Sequence, residues 1–247
     1  YSISSDLIYK TLQDKQGNIW IATYGGGVNI LRAADKGKPI FINKNNAITH
    51  YPQNSHFKAR TVEMDRHGKV WVGTTDGILV MSYHNNKISV ETIKDNEDEN
   101  LNMQSKDVVC IARSHNGQMW IGTNGGGLSR CENYGDGKYE FDTFGSKDGL
   151  PSEEIKSITF DEKGNVWFAT DHILCSFDVR KQIFSTFTML DGVDDTICSE
   201  DAAIALPNGK ILFGTLNGYY VVDRSKLVNT SGASLKLRIT DFMINDE

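Results

Sequence analysis

The sequence predicts an all-β protein of the β-propeller class, and three observations carry that prediction. A ten-residue pattern recurs five times along the 247 residues, as DKQGNIWIAT (14–23), DRHGKVWVGT (65–74), SHNGQMWIGT (114–123), DEKGNVWFAT (161–170) and LPNGKILFGT (206–215). The anchors Trp20, Trp71, Trp120, Trp167 and Leu212 are spaced 51, 49, 47 and 45 residues apart, room for four short strands and their turns. The composition agrees: 23 glycines against 4 prolines and 10% aromatic residues suit many tight turns between short aromatic strands.

Each repeat reads as one supersecondary unit. An alternating first strand is expected at Ile8–Leu12, Ala59–Met64, Val108–Ala112, Ile155–Phe160 and Ala202–Leu206. A D-x-x-G type turn follows, in which glycine supplies the positive φ that a tight hairpin needs. The W-[IVF]-[AG]-T strand returns, its small residue leaving room for close backbone approach. A second turn (YGGG, TDG, NGGG, LNG) leads to a third strand, as at Val28–Leu31 and Ile78–Met81. A more polar fourth strand closes most repeats, at Lys87–Ile93, Tyr139–Phe144 and Ile183–Thr188, with only Ile40–Ile42 in the first. Blades of about 1–46, 47–97, 98–146, 147–190 and 191–234 follow, with 235–247 either the outer strand of the last blade or the start of another β domain.

A four-stranded blade has two faces to cover, and stacking blades face to face covers both. The tryptophans therefore belong between blades as core rather than as a sugar-stacking platform. Burying one indole removes about 150–250 Å² from water. Five repeats close as a ring, or form an open arc if they keep the curvature of a seven-bladed parent. At about 51° per blade, five blades then cover about 257°. An open or distorted arc is the expectation, and exposed blade faces would favour association with another chain.

Several classes of function are excluded or disfavoured. Net charge is −6, with no basic stripe for nucleic acid. No apolar run approaches the roughly 18 residues of a membrane-spanning helix. Cys110, Cys131, Cys175 and Cys198 form no CxxC pair or zinc pattern and read as buried thiols. The acidic runs DNEDEN (95–100) and DGVDDT (191–196) lack calcium-loop spacing and read as solvated loops. The glycine triplets 25–27 and 125–127 have no helix after them, so they read as turns and not phosphate loops. No catalytic motif is present, and no metal or cofactor is expected.

The repeat resembles the two-component regulator propeller family. The motif D-x-x-G-x-[IVM]-W-[IVF]-[AG]-T-x-G-G-G, preceded by KDGLPSEEIKSI at 147–158, carries the resemblance. EDAAIALPNGKILFGTLNGYYVVD at 200–223 is similar to that family's closing repeat, and LKLRITDFMIND at 235–246 to the first strand of the Y_Y_Y domain that follows it. Members usually have more repeats, a transmembrane helix, a histidine kinase and often a regulator. The resemblance implies a non-catalytic, periplasmic ligand-sensing fragment of a membrane-anchored hybrid sensor kinase of Bacteroides-type bacteria. It also implies a dimeric sensor region, oligosaccharide ligands and control of polysaccharide-utilisation genes. A lyase-type propeller enzyme and a purely structural interaction scaffold are the alternatives.

Loops between second and third strands share one face with the blade-to-blade connections, and rigid blades make that face the natural binding surface. It would carry Tyr24, Asp76, Asn124, Asp171, His172 and Asn217, with interblade loops 43–58, 94–107, 145–154 and 189–200. The loop NKNNAITHYPQNSHF adds His50, Tyr51, His56 and Phe57. Aromatic faces beside amides and carboxylates suit sugars, which offer apolar C–H faces ringed by hydroxyls. Tyr24, His50, Tyr51, His56, Asp76, Asn124, His172 and Asn217 are the candidate ligand-binding residues. His67 and His115 sit in the turns of the opposite face.

Overall fold

The computed structural model describes residues 2–223 apart from 38, 49, 136, 189, 190, 194 and 195. The expectations for 224–247, including the candidate outer strand at 235–240, lie outside the described residues. The chain forms five antiparallel sheets in sequence order. They are β1 (Ile8–Gln13), β2 (Ile19–Thr23), β3 (Gly27–Leu31) and β4 (Phe41–Ile42); β5 (Ala59–Met64), β6 (Val70–Thr74), β7 (Gly77–His84) and β8 (Lys87–Thr92); β9 (Val108–Arg113), β10 (Met119–Thr123), β11 (Leu128–Gly135) and β12 (Lys138–Phe144); β13 (Ser157–Phe160), β14 (Val166–Ala169), β15 (Leu174–Asp178) and β16 (Ile183–Phe187); and β17 (Cys198–Ala205), β18 (Lys210–Thr215) and β19 (Gly218–Asp223). The first four are four-stranded meanders, and the fifth shows three strands among the described residues.

In the first, second and fourth blades the first turn is built around one carboxylate. Asp65 Oδ1 accepts the backbone N–H of His67 at 2.8 Å and of Lys69 at 2.9 Å, while Oδ2 accepts the indole N–H of Trp71 at 3.0 Å. Asp14 does the same for Gln16, Asn18 and Trp20, and Asp161 for Lys163, Asn165 and Trp167. The turn glycines Gly17, Gly68, Gly117, Gly164 and Gly209 all take φ between 78° and 88°. One buried side chain thus closes the turn, and in these three blades it also satisfies the indole nitrogen of the strand that leaves it.

The indoles face the next blade, as expected. Four separate apolar cores each join one blade to its successor. Trp20 packs with Val62, Val70 and Val72 of the second blade, and Trp71 with Ile111, Met119 and Ile121 of the third. Trp120 lies with Ile158, Phe160 and Phe168 of the fourth, and Trp167 with Ile211 and Phe213 of the fifth. The small residue two places after the tryptophan serves a different purpose from the one expected. A Cβ on Gly73 would stand 2.5 Å from the side chain of Val108, and one on Gly122 would stand 2.7 Å from that of Ile155. The room is filled by a side chain of the incoming blade, not by its backbone.

Among the described residues no apolar core joins the fifth blade to the first. Leu7, Ile8 and Tyr9 on one end and Ile204, Leu216, Tyr219 and Val221 on the other remain exposed. An ion pair links the two inner strands instead, Lys10 Nζ to Asp201 Oδ2 at 2.8 Å. Asp201 sits at φ 51° in a bulge of β17. All four cysteines are buried, and none forms a disulfide among the described residues.

Replacing Asp65 by alanine leaves three donors without their acceptor. The expected loss is about 3 kcal/mol of unfolding free energy, read by urea denaturation. A loss below about 1 kcal/mol would show that the turn holds without the carboxylate.

Candidate functional site

The loop face is assembled by backbone. Gly25 and Gly27 both donate their N–H to the carbonyl of Phe57, at 2.9 and 2.7 Å, and Gly125 and Gly127 both donate to that of Glu153, at 3.0 and 2.9 Å. The glycine triplets therefore cup a carbonyl of the segment entering the next blade, the place where a phosphate loop would hold an anion. Thr75 N–H reaches Lys58 O at 3.3 Å and Leu216 N–H reaches Ile197 O at 3.0 Å, each extending the pairing of the first two strands within its own blade, as Tyr24 N–H to Leu7 O does in the first. The acidic run 95–100 is likewise organised by itself. Asp98 accepts the Asn100 N–H at 3.0 Å, and Asn96 Nδ2 donates to the carbonyls of Leu101 and Tyr139.

The candidate residues lie along this face but do not form one cluster. Tyr24 is half-buried and stacked on Tyr9, with ring centroids 5.5 Å apart and Lys58 Nζ over its ring. Asn124 Nδ2 donates to Asp107 Oδ2 at 3.1 Å. His50, His172 and Asn217 are exposed. Tyr51 is buried in the first core, stacked on Phe57, and its hydroxyl donates to the His56 carbonyl at 2.5 Å. Burial raises the Tyr51 phenol well above its ordinary value, so it stays a neutral donor. The structure brings Tyr51, His56 and Asp76 together: Asp76 Oδ2 accepts the His56 N–H at 2.9 Å.

His56 is the unusual member. It holds φ 63°, a region costly for a residue with a Cβ, and is clamped there from both sides of its peptide by Tyr51 and Asp76. Its ring is buried, Nδ1 lies 2.7 Å from Ser55 Oγ, and Nε2 has no hydrogen-bond partner among the described residues. A buried polar atom in that state costs about 1–3 kcal/mol. Burial lowers the imidazole pKa below its ordinary 6.5; Asp76 works against the shift and Lys106 adds to it.

His56 and Asp76 line a cavity of about 350 Å³ at the junction of the second and third blades. Ile78, Ile93, Met103 and Phe141 give it an apolar wall, Thr92 and Asn102 add polar groups, and Lys94, Asp95 and Lys106 complete the lining. Lys106 Nζ pairs with Asp95 Oδ2 at 2.7 Å. Loop 94–107 was legible as an interblade connection, but nothing in its residue types marks Met103 or Lys106, and Asp95 belongs to a run that reads as a solvated loop. Among the described residues, no group of three or more His, Cys, Asp or Glu side chains could hold a metal ion. No helix there is long and apolar enough to cross a membrane.

The family model described as Two component regulator propeller matches residues 2–25, 102–125 and 149–172. Histidine kinase P4 of Formosa agariphila is 20% identical over 244 residues, which is 97% of this chain and 17% of that protein. An extracellular domain assigned to the hybrid two component system BT4673 of B. thetaiotaomicron superposes with a TM-score of 0.70 at 17% identity, covering 92% of this chain and 31% of that one. A virginiamycin B lyase from Staphylococcus aureus gives 0.66 at 10% identity, covering 92% and 71%. At such identities the two superpositions establish the shared fold. The chain spans under a fifth of the curated relative it matches.

Two measurements check the account of His56. Glycine tolerates φ 63° where alanine does not, so His56→Gly is expected to be more stable than His56→Ala by about 1 kcal/mol. Because the folded-state pKa lies below the unfolded one, protons bind the unfolded chain better. Stability is therefore full above pH 6.5 and falls as pH drops below it towards the folded-state value. In urea titrations, His56→Gln should lose less stability than the wild type between neutral and mildly acidic pH. Equal losses would remove His56 from the account.

Proposed function

We propose that this chain is a non-catalytic ligand-sensing part of the extracytoplasmic region of a hybrid two-component sensor kinase. The observation that carries the reading is the match of three of its repeats to the Two component regulator propeller model. The alignment of nearly the whole chain to a fraction of a histidine kinase supports it, because the matched stretch is one part of that much longer protein. The parent is membrane-anchored, and the propeller lies in the periplasm. Its ligands are oligosaccharides whose detection switches on genes for polysaccharide use. Tyr24, His50, His56, Asp76, Asn124, His172 and Asn217 remain its candidate ligand-facing set, with His56 and Asp76 favoured by their shared cavity and Tyr51 holding His56 from the core behind it.

The mechanism is population shift. A ligand that prefers one arrangement of propeller and following domain across a dimer biases the kinase by that difference in affinity and by no more. Nothing on this route requires a reacting group in the propeller, only groups that hold ligand differently in two states. The exposed apolar ends of the arc, at Leu7–Tyr9 and around Tyr219, suit contact with neighbouring protein in the larger assembly.

The test is phosphorylation of the full-length parent kinase in membrane vesicles, with a panel of plant, host and microbial oligosaccharides outside. At least one glycan class is expected to change phosphorylation, and deletion of these repeats to abolish the response. A response that survives the deletion, or no response to any glycan, would overturn the reading.

A further inference from the structure

We propose that the cavity between the second and third blades binds one ring of a neutral sugar, a proposal that rests on the sensor reading above and gives it a specific site. The repeat itself supplies the comparison. At the first junction, a Cβ on Gly27 would stand 2.5 Å from the Tyr51 hydroxyl. At the third, one on Gly127 would stand 2.3 Å from the Phe144 carbonyl and 3.0 Å from Leu150 Cδ2. The loop bridging the two blades sends Tyr51 over the glycine that opens the third strand at the first junction and Leu150 at the third, where the end of β12 also closes in. At the second junction the equivalent is Gly77, and the nearest atom to its Cβ position is His56 Nε2 at 3.9 Å. Loop 94–107 sends nothing within 4 Å of that point. The space that Tyr51 and Leu150 fill at their junctions is left as a cavity here.

Its chemistry selects the ligand. The apolar wall of Ile78, Ile93, Met103 and Phe141 matches the C–H face of a pyranose. His56 brings a nine-tenths-buried imidazole whose Nε2 lacks a partner among the described residues. A hydroxyl satisfies that nitrogen in either tautomer, since it both donates and accepts. Asp76 and Asp95 balance Lys94 and Lys106 around the lining, so the site has no net charge with which to select an anionic sugar. At about 350 Å³ the cavity sits at the small end of ligand sites, enough for one ring with the rest of a chain outside.

The experiment titrates this chain with neutral methyl glycosides and short neutral oligosaccharides, and in parallel with uronic-acid and sulfated counterparts, by calorimetry and by NMR of the histidine ring protons. A neutral glycoside is expected to bind and to shift the His56 resonances. Met103→Trp, which fills the cavity as Tyr51 and Leu150 fill theirs, should weaken that binding by at least about tenfold. The NMR readout on unsubstituted protein stands even if the variant folds poorly. Binding that leaves His56 unshifted and survives Met103→Trp would overturn the site while leaving the kinase response intact. Binding of anionic glycans alone would overturn the ligand class, and no binding by any neutral glycoside would overturn the proposal whole.

Discussion

The hydrogen bond that a tryptophan indole donates to a turn carboxylate of its own blade is the constraint on which most of this structure depends. Asp14, Asp65 and Asp161 are buried, and each is spent on the turn's backbone and on a tryptophan N–H. The indole is thereby fixed in one orientation, with its apolar face against the next blade. Without that acceptor the same burial would strand an N–H in the core. The third repeat shows what happens when the carboxylate is missing. Ser114 still closes the turn by accepting the Gln118 N–H at 3.0 Å, but it is too short to serve Trp120 as well. Trp120 is held instead by its surroundings, with Arg130 over its ring and Phe144, Phe160 and Phe177 around it.

Because each indole looks forward, cohesion is sequential and the two ends of the arc are unlike. The last blade offers Leu212 where its predecessors have tryptophan, and beside it Gly214, whose Cβ position meets only Ala202 and Ser199 of its own blade. The first blade offers Ile8, equivalent by register to Val108 and to the Ile155 that fills the slot at Gly122. Knob and slot are thus both present and unmatched among the described residues. Near the axis the inner strands compensate with charge. Lys10 pairs with Asp201, and Arg60 lies 2.9 Å from Asp107 and 3.9 Å from Glu200.

Strand positions were legible because hydrophobic alternation and the turn signature are local. β5 has the bounds the pattern predicts, and β1, β9, β12 and β16 differ by one residue at one end. β17 starts four residues earlier than expected, at Cys198, because a bulge around Asp201 lets the strand run on past its pattern. The site was legible only in outline. The loop face followed from topology, since both kinds of loop end on one side of neighbouring strands, whereas the hydrogen bond of His56 to Asp76 is visible only in the structure. Tyr51 reads in sequence as a loop aromatic free to meet ligand, yet its ring is core and its hydroxyl is used on the His56 carbonyl. The cavity itself has no sequence signature, because it exists where a loop fails to send a side chain over Gly77. Absence of a filler depends on the path of 94–107, which Asn96 and Asn102 set through hydrogen bonds to backbone.

A ligand held at a junction differs in kind from one held on a single blade. Blades are stiff, each a meander with a packed core on its indole side, so the soft coordinate of such an arc is the angle between neighbours. A molecule touching one blade only has the same contacts whatever that angle is, and so shifts no equilibrium. One gripped by Asp76 and Ile78 on the second blade and Phe141 on the third has different contacts at each angle, which is the differential affinity a sensor needs. The left-handed backbone of His56 is held by Asp76 from the turn of the second blade and by Tyr51 from the loop entering it, so displacement of the imidazole is felt through both the first junction and the second. The position that joins two junctions is where a small ligand has leverage over a large arc.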